Sequence, residues 1–282
     1  MTLFVRIAIA ALMLIYIVPS QAQEFQGIAT YRTQRKIDIK MDSTKMNDAL
    51  QNQMMEMMKK QFQKTYILTF DKSSSIYQQE VELEKPQIGG VDFQMIGSSG
   101  GNDVFYKNVK DQNYIDQKET MGKKFLIKDS ISKIDWQLES DTKYIGEYLC
   151  FKATYTKQVS KPNLDFSNNS ENEEETQDEP EMIERTVTAW YTPQVPVSNG
   201  PAKYQGLPGL ILEIHDGKLT IICSKIVINP EDKIEIEQPT KGKEVNQKEY
   251  DAIMDKKRKE MLEHYAPSRG SKDGAITISI GG

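Results

Sequence analysis

Residues 200–217 read Gly200-Pro201-Ala202-Lys203-Tyr204-Gln205-Gly206-Leu207-Pro208-Gly209-Leu210-Ile211-Leu212-Glu213-Ile214-His215-Asp216-Gly217. Pro208 and Gly209 stand at the two central positions of a turn. Proline presets φ and glycine accepts φ > 0, the pairing that a type II turn requires, so the chain is predicted to reverse here. Further on, Asp216-Gly217 lies between apolar, β-branched runs and predicts a two-residue hairpin turn of type I′. Such a turn sets His215 opposite Lys218, Ile214 opposite Leu219 and Leu212 opposite Ile221. One face of the hairpin then carries Leu210, Leu212, Ile214, Leu219, Ile221 and Cys223, and is predicted to be core. The other face mixes Glu213, His215, Lys218 and Thr220 with Ile211 and Ile222.

Outward from this hairpin the chain is rich in short strand patterns. Residues 25–40 alternate Ile28, Thr30 and Arg32 with Ala29, Tyr31 and Thr33 and predict a first strand. The period then changes. Asp42 or Ser43 can cap a helix over 45–62, whose apolar residues Met46, Leu50, Met54, Met57 or Met58, and Phe62 recur at helical spacing. Strands are expected at 65–71 and 75–82, joined by a hairpin at Asp71-Lys72-Ser73-Ser74. Others follow at 104–110, 113–120, 123–129, 135–138, 147–157, 185–191 and 210–228. Gly89-Gly90 and Ser98-Ser99-Gly100-Gly101 mark a loop-like region. Near the end, Tyr250, Ile253, Met254, Met261 and Tyr265 predict a helix packed by one stripe, with Lys256-Lys257-Arg258-Lys259 on its solvated side. Residues 275–280 read as an edge strand or a tail. Short connections and the lack of βαβ alternation predict antiparallel neighbours. The expected fold is mainly β (α+β): a curved antiparallel meander sheet or half-barrel, with a Met-rich helix after the first strand and an amphipathic helix at the C-terminus.

Residues 1–22 have the layout of a cleaved secretory signal, with Arg6, an apolar run from Ile7 to Val18, and Pro19 before Ser20-Gln21-Ala22. That run is short for a bilayer, which needs about 20 residues, so no transmembrane span is expected in the mature chain. Residues 23–282 are expected to form one β-rich domain. They carry 35 basic and 41 acidic residues, a net −6. Nine of the acids fall within 162–184, which has no Lys or Arg, so the remainder is +3. With few apolar residues to offset the entropy of ordering, that segment reads as a disordered acidic loop. The basic quartet reads as a solvated helix face, and no nucleic-acid partner is expected.

Two cysteines in an exported chain raise the question of a disulfide between Cys150 and Cys223. Their strand patterns leave it open. The chemistry-bearing residues are sparse. His215 and His264 are the two histidines, neither at zinc-binding spacing from a second ligand, and the one Gly-x-Ser-x-Gly string, Gly97-Ser98-Ser99-Gly100-Gly101, falls in the loop-like Gly/Ser region rather than between a strand and a helix. Met54, Met55, Met57 and Met58, within a cluster beginning at Met41, are candidate Cu(I) thioether ligands, and equally the filling of an irregular apolar groove. Neither a catalytic residue nor a cofactor emerges.

Gly206-Leu207-Pro208-Gly209-Leu210-Ile211 is the six-residue string for which the GLPGLI family of exported bacterial proteins is named. Trp136 with Leu138, Ile145 with Tyr148, Cys150, Lys152-Ala153, Ala189-Trp190-Tyr191-Thr192, Pro196 and Gly200-Pro201 also resemble that family's recurring positions, in the same order. The resemblance spans roughly 125–214 and marks Gly200, Pro201, Tyr204, Gly206, Leu207, Pro208 and Gly209 as the motif turn. It implies an envelope location, in the periplasm or at the cell surface, and a loose association with outer-membrane receptors; it transfers no catalytic residue. Three readings of function follow. The first is a non-enzymatic binding or accessory module whose apolar sheet face holds a hydrophobic ligand, a peptide or a membrane-protein partner. The second is a copper-handling protein, and the third a hydrolase built from carboxylates that sequence spacing does not reveal.

Overall fold

The computed structural model describes residues 25–36, 38–39, 63–80, 103–160, 182–265 and 278–279. The signal segment, the expected Met-rich helix with Met54, Met55, Met57 and Met58, and acidic residues 162–181 lie outside them. The strands are β1 (Gly27–Arg35), β2 (Asp38–Ile39), β3 (Gln63–Phe70), β4 (Ser74–Gln79), β5 (Val104–Asn108), β6 (Asn113–Thr120) and β7 (Lys123–Ser130). They continue with β8 (Gln137–Ile145), β9 (Tyr148–Ser160), β10 (Met182–Thr192), β11 (Leu210–Asp216), β12 (Leu219–Ile228) and β13 (Lys243–Val245). Helix α1 (Gln247–Tyr265) and β14 (Ile278–Ser279) complete the order.

Twelve strands form one curved sheet in the order β13-β7-β6-β5-β4-β3-β1-β12-β11-β10-β9-β8, while β14 pairs with β2 separately. The fold is mainly β with a C-terminal helix, as expected. It is two meanders rather than one: β3 to β7 run outward from β1 on one side, and β8 to β12 run inward to β1 from the opposite edge. The link between β7 and β8 explains the curvature. Ten inter-strand spacings separate them in the sheet, roughly 48 Å if it were flat, whereas residues 131–136 can reach at most roughly 25 Å. The sheet therefore curls and brings its two wings together. One pairing departs from the antiparallel expectation, because β13 lies parallel to β7. It arrives by a long connection from β12, which frees its direction from the constraint of a hairpin.

Aromatic and branched residues on the concave side build the core. Ala29, Tyr31, Leu68, Phe70, Ile127, Val187, Ala189 and Ile214 are fully buried. Tyr31 and Tyr77 pack edge to face at 6.2 Å, and Tyr66 stacks on Tyr77 at 4.8 Å. Asn246 caps α1: its Oδ1 accepts from Glu249 N at 2.8 Å while Glu249 Oε2 accepts from Asn246 N at 2.9 Å, a reciprocal capping box. Tyr250 then meets Phe125 edge to face at 5.4 Å, and Ile253 and Met254 pack on the same core.

Several boundaries differ from the sequence reading. β8 runs to Ile145, well past the expected 138, because Thr142–Ile145 pair with β9 beyond a bulge. β10 begins at Met182, inside the expected acidic loop, where Met182, Ile183 and Glu184 pair with Ser160, Val159 and Gln158. The β11–β12 hairpin keeps Ile214, Ile221 and Cys223 in the core but not its register. Asp216 pairs with Leu219 and Ile214 with Ile221, so the turn residues are Gly217 and Lys218. Only Gly217 has positive φ, 60°, the sign pattern of type II′ rather than I′. The slip is two residues on one strand, which preserves side-chain parity. Asp216 stays in the strand because its carboxylate is held from the concave side, as shown below.

Candidate functional site

Between β10 and β11 the chain makes a long excursion, residues 193–209, that the sequence suggests is a turn but that folds into the concavity of the sheet. Val195, Val197, Leu207 and Asn199 are each 1–2% exposed. This plug touches both wings. Lys107 on β5, with no exposed surface, donates from Nζ to the carbonyls of Gly200, Ala202 and Tyr204, each at 2.9 Å. Ser75 on β4 donates to Asn199 Oδ1 at 3.3 Å, and Trp136 Nε1, just before β8, donates to Gln205 O at 2.9 Å. Tyr31 at the sheet centre donates to Ile211 O at 2.7 Å.

Burial pushes the Lys107 ammonium down from 10.5 to about 7. Three carbonyls acting together oppose it: a neutral amine has two N–H bonds for three acceptors, so the ammonium is the form that satisfies the cradle. No sequence motif identifies Lys107. Its neighbours Phe105 and Tyr106 signal only a strand, and a lysine in a strand reads as solvent-facing.

The motif residues take structural places in the plug. A side chain at Gly200 would put its Cβ 2.8 Å from the Cβ of Ile211. Pro201 is buried and its carbonyl accepts from Tyr204 N at 3.1 Å. Tyr204 donates its hydroxyl to Asp216 Oδ2 at 2.7 Å. Asp216 also takes a 2.5 Å bond from Lys157, with Arg185 at 3.7 Å from its other oxygen. Burial raises the Asp216 carboxyl, but Lys157, Tyr204 and Arg185 outweigh it and hold it below the usual range. Gly206 sits at φ 95°, beside the Trp136 ring.

The turn at Leu207-Pro208-Gly209 is not type II. Gly209 N donates to Leu207 O at 2.8 Å, closing a three-residue turn, while Leu210 N donates to Val195 O at 3.0 Å. Gly209 is needed for close approach, since its missing Cβ would lie 2.2 Å from Thr192 O. A bulge beyond this turn leaves Leu212 unpaired between Trp190–Glu213 and Tyr191–Ile211. Alternation breaks there, so Ile211 joins Ile214 on the pairing face and all residues from Leu210 to Ile214 are buried.

Cys150 and Cys223 are both buried free thiols. Burial pushes them up to about 11 and about 12, with Cys150 adding to the rise at Cys223. The folded protein should therefore resist iodoacetamide at neutral pH, whereas unfolding should release two alkylated cysteines by mass. Unfolded, unreduced protein that takes up no adduct would establish a disulfide instead.

On the outer face, Glu213 is 6% exposed and receives Lys143 Nζ at 2.7 Å and His215 Nε2; His215 Nδ1 lies 3.3 Å from Thr220 Oγ1. The order carboxylate, imidazole, hydroxyl has the form of a hydrolytic triad. It lies on the outer face of the sheet, with Lys143 over the Trp190 ring at 4.3 Å, and lines neither of the two grooves described below. Among the described residues no three His, Cys, Asp or Glu side chains are grouped to hold a metal, and no helix is long and apolar enough to cross a membrane.

Asp103, just before β5, is raised from 3.8 to about 6, chiefly by burial, against the Glu119 amide and Lys118 and with Asp116 adding to it. Its folded form holds a proton to higher pH than the unfolded chain does, so stability falls as pH rises from about 4 to about 6. Asp103→Asn should match wild type in urea unfolding near pH 4 and exceed it near pH 7; equal midpoints at both would show that the carboxyl is solvated.

Where the plug meets the first wing, a groove of about 380 Å³ opens. Phe105, Tyr114, Tyr155, Ile131 and Ile134 give it an apolar lining, and Asp129, Ser130, Ser132, Lys203 and Gln247 its polar groups. A larger space of about 630 Å³ lies along the polar side of α1, against Asp255, Lys256, Lys259 and Glu260. It is the more open of the two and is walled by one helix without an aromatic ring, so the groove beside the plug is the better candidate for a ligand.

Residues 136–213 match the family model described as a protein of unknown function, Porph_ging. The matched segment holds β8, β9, β10 and the whole plug, with Trp136 at one end and Glu213 at the other. No curated protein matches the chain. Two solved structures of PNGF-II, in space groups C2 and P21, are similar to it with TM-scores of 0.47 and 0.48 and sequence identities of 15% and 16%. The similarity covers 83% of this chain and 33% and 34% of theirs, so the chain spans about one third of their length.

Proposed function

We propose that this protein is an exported envelope protein, periplasmic or at the cell surface, that works by binding rather than catalysis. On this reading the groove beside the plug holds a small ligand with an apolar ring or chain. The signal-like segment 1–22 and the literal GLPGLI string support placing it among the exported proteins of that name.

The observation that carries the reading is the filling of the concave face by the chain's own residues 193–209, tethered through Lys107. An apolar sheet face that would otherwise receive a large hydrophobic ligand is covered, and among the described residues a groove of about 380 Å³ with three aromatic rings in its wall stays open beside the plug. Its size suits a molecule of a few rings, not a lipid tail of full length.

Native mass spectrometry of the full mature protein, purified from its own envelope, should show a small bound molecule that organic solvent extracts. Ile134→Trp, which fills the groove, should lose that molecule while keeping the wild-type unfolding midpoint. Retention of the same molecule by the filled variant would overturn the assignment to this groove.

A further inference from the structure

The polar side of the groove is asymmetric in how its charges are satisfied. Asp129 accepts from Ser130 N and Ser130 Oγ on one oxygen, at 2.8 and 3.4 Å, and from Gln247 N on the other at 3.1 Å. Both of its oxygens are thus bonded within the fold. Lys107 has all three N–H bonds directed at plug carbonyls. Lys203 differs. Its ammonium makes one hydrogen bond, to Gln247 Oε1 at 3.3 Å, and lies 5.2 Å from the Tyr114 ring centre.

Gln247 Oε1 in turn accepts from Tyr114 OH at 2.8 Å, and Gln247 Nε2 donates to Asp251 Oδ1 at 2.8 Å. The acceptor that positions Lys203 is thus fixed by two further bonds. No carboxylate among the described residues comes within ion-pair distance of Lys203, and the lining carries two ammonium groups against one carboxylate. Lys203 is exposed at the rim, above aromatic rings that form the floor.

We infer that the groove takes a carboxylate-bearing ring compound, with the ring against Tyr114, Tyr155 and Phe105 and the carboxylate on Lys203. This rests on the reading of the groove as the ligand site. A carboxylate accepts the two N–H bonds that Lys203 leaves unused, while the ring displaces water from an apolar floor. Burial, followed by repulsion from Lys118, holds the Lys203 ammonium below its ordinary value, against attraction from Asp116, Asp251 and Asp129.

The test uses two probes of one shape, 2-naphthoate and 2-naphthamide, titrated into the full mature protein and followed by amide shifts in NMR. Naphthoate should bind about fivefold more tightly, since a rim ion pair is worth about 1 kcal/mol. Lys203→Gln should abolish that preference while leaving naphthamide binding unchanged, and added salt should narrow the wild-type difference. Equal binding of the two probes to wild type would overturn the inference and leave the groove as a site for neutral rings. A preference that survives Lys203→Gln would overturn the role of this lysine. Binding of neither probe to folded protein would overturn the groove reading together with the inference.

Discussion

Lys107→Met should lower the free energy of unfolding by roughly 3 kcal/mol, read from urea midpoints with an unchanged slope. Methionine approximates the length of the lysine stem, so the cavity term is small. What changes is that the carbonyls of Gly200, Ala202 and Tyr204 lose a donor at 2.9 Å. A buried acceptor left unsatisfied costs about 1–3 kcal/mol, and the relief from no longer burying a charge recovers part of the total. Because the three carbonyls belong to the plug and the lysine to β5, the loss should be local first: amide hydrogen exchange across residues 199–211 should accelerate more than across β3 and β4. A midpoint equal to wild type would mean that water serves those carbonyls and that the lysine is no tether.

Gly209→Ala should cost about as much, roughly 3 kcal/mol, whereas Gly206→Ala should cost about 1 kcal/mol. Both positions have positive φ, 157° and 95°, but their surroundings differ. At Gly206 the added Cβ meets nothing closer than the Trp136 ring at 3.8 Å, an ordinary contact, so the cost is the backbone conformation alone. At Gly209 the Cβ would sit 2.2 Å from the Thr192 oxygen and 2.5 Å from its carbon, and backbone cannot rotate away as a side chain can. The entrance of β11 would have to separate from the end of β10. Thermal unfolding of the two variants side by side tests this, and a Gly206 variant as damaged as the Gly209 variant would show that φ, not close approach, sets the requirement.

The plug accounts for what could and could not be read beforehand. Leu210, Leu212, Ile214, Ile221 and Cys223 were legible as core because period-two alternation depends only on neighbours along one strand and across one turn, whereas Leu219 of the same expected face is half-buried and Ile211 of the other face is drawn into the core by the bulge. Most strand positions and the N-terminal part of the α1 stripe were legible for the same local reason. Lys107 was not, since its inward direction follows from facing Ser75 and Tyr114 across two strand pairs, and its purpose from a loop more than ninety residues away. Tyr204 and Asp216 were each visible as turn residues, yet their 2.7 Å bond exists only once the plug folds back over β11. The register of that hairpin was missed by two residues because Gly217 satisfies either turn type, and the carboxylate of Asp216 is committed to Lys157 and Tyr204 on the concave side.

Sequence by itself determined the class of the protein: alternating runs joined by short turns can bury one face only as a sheet, and the capped 3.6-period segment near the end can only be a helix packed by one stripe. Tertiary structure supplied the reason for the expected curl, a six-residue link between strands near opposite ends of the order. It also decided that the concavity is filled from within and that one groove stays open beside Lys203. Those outcomes depend on contacts between residues far apart in the chain, and nothing in the spacing of neighbours encodes them.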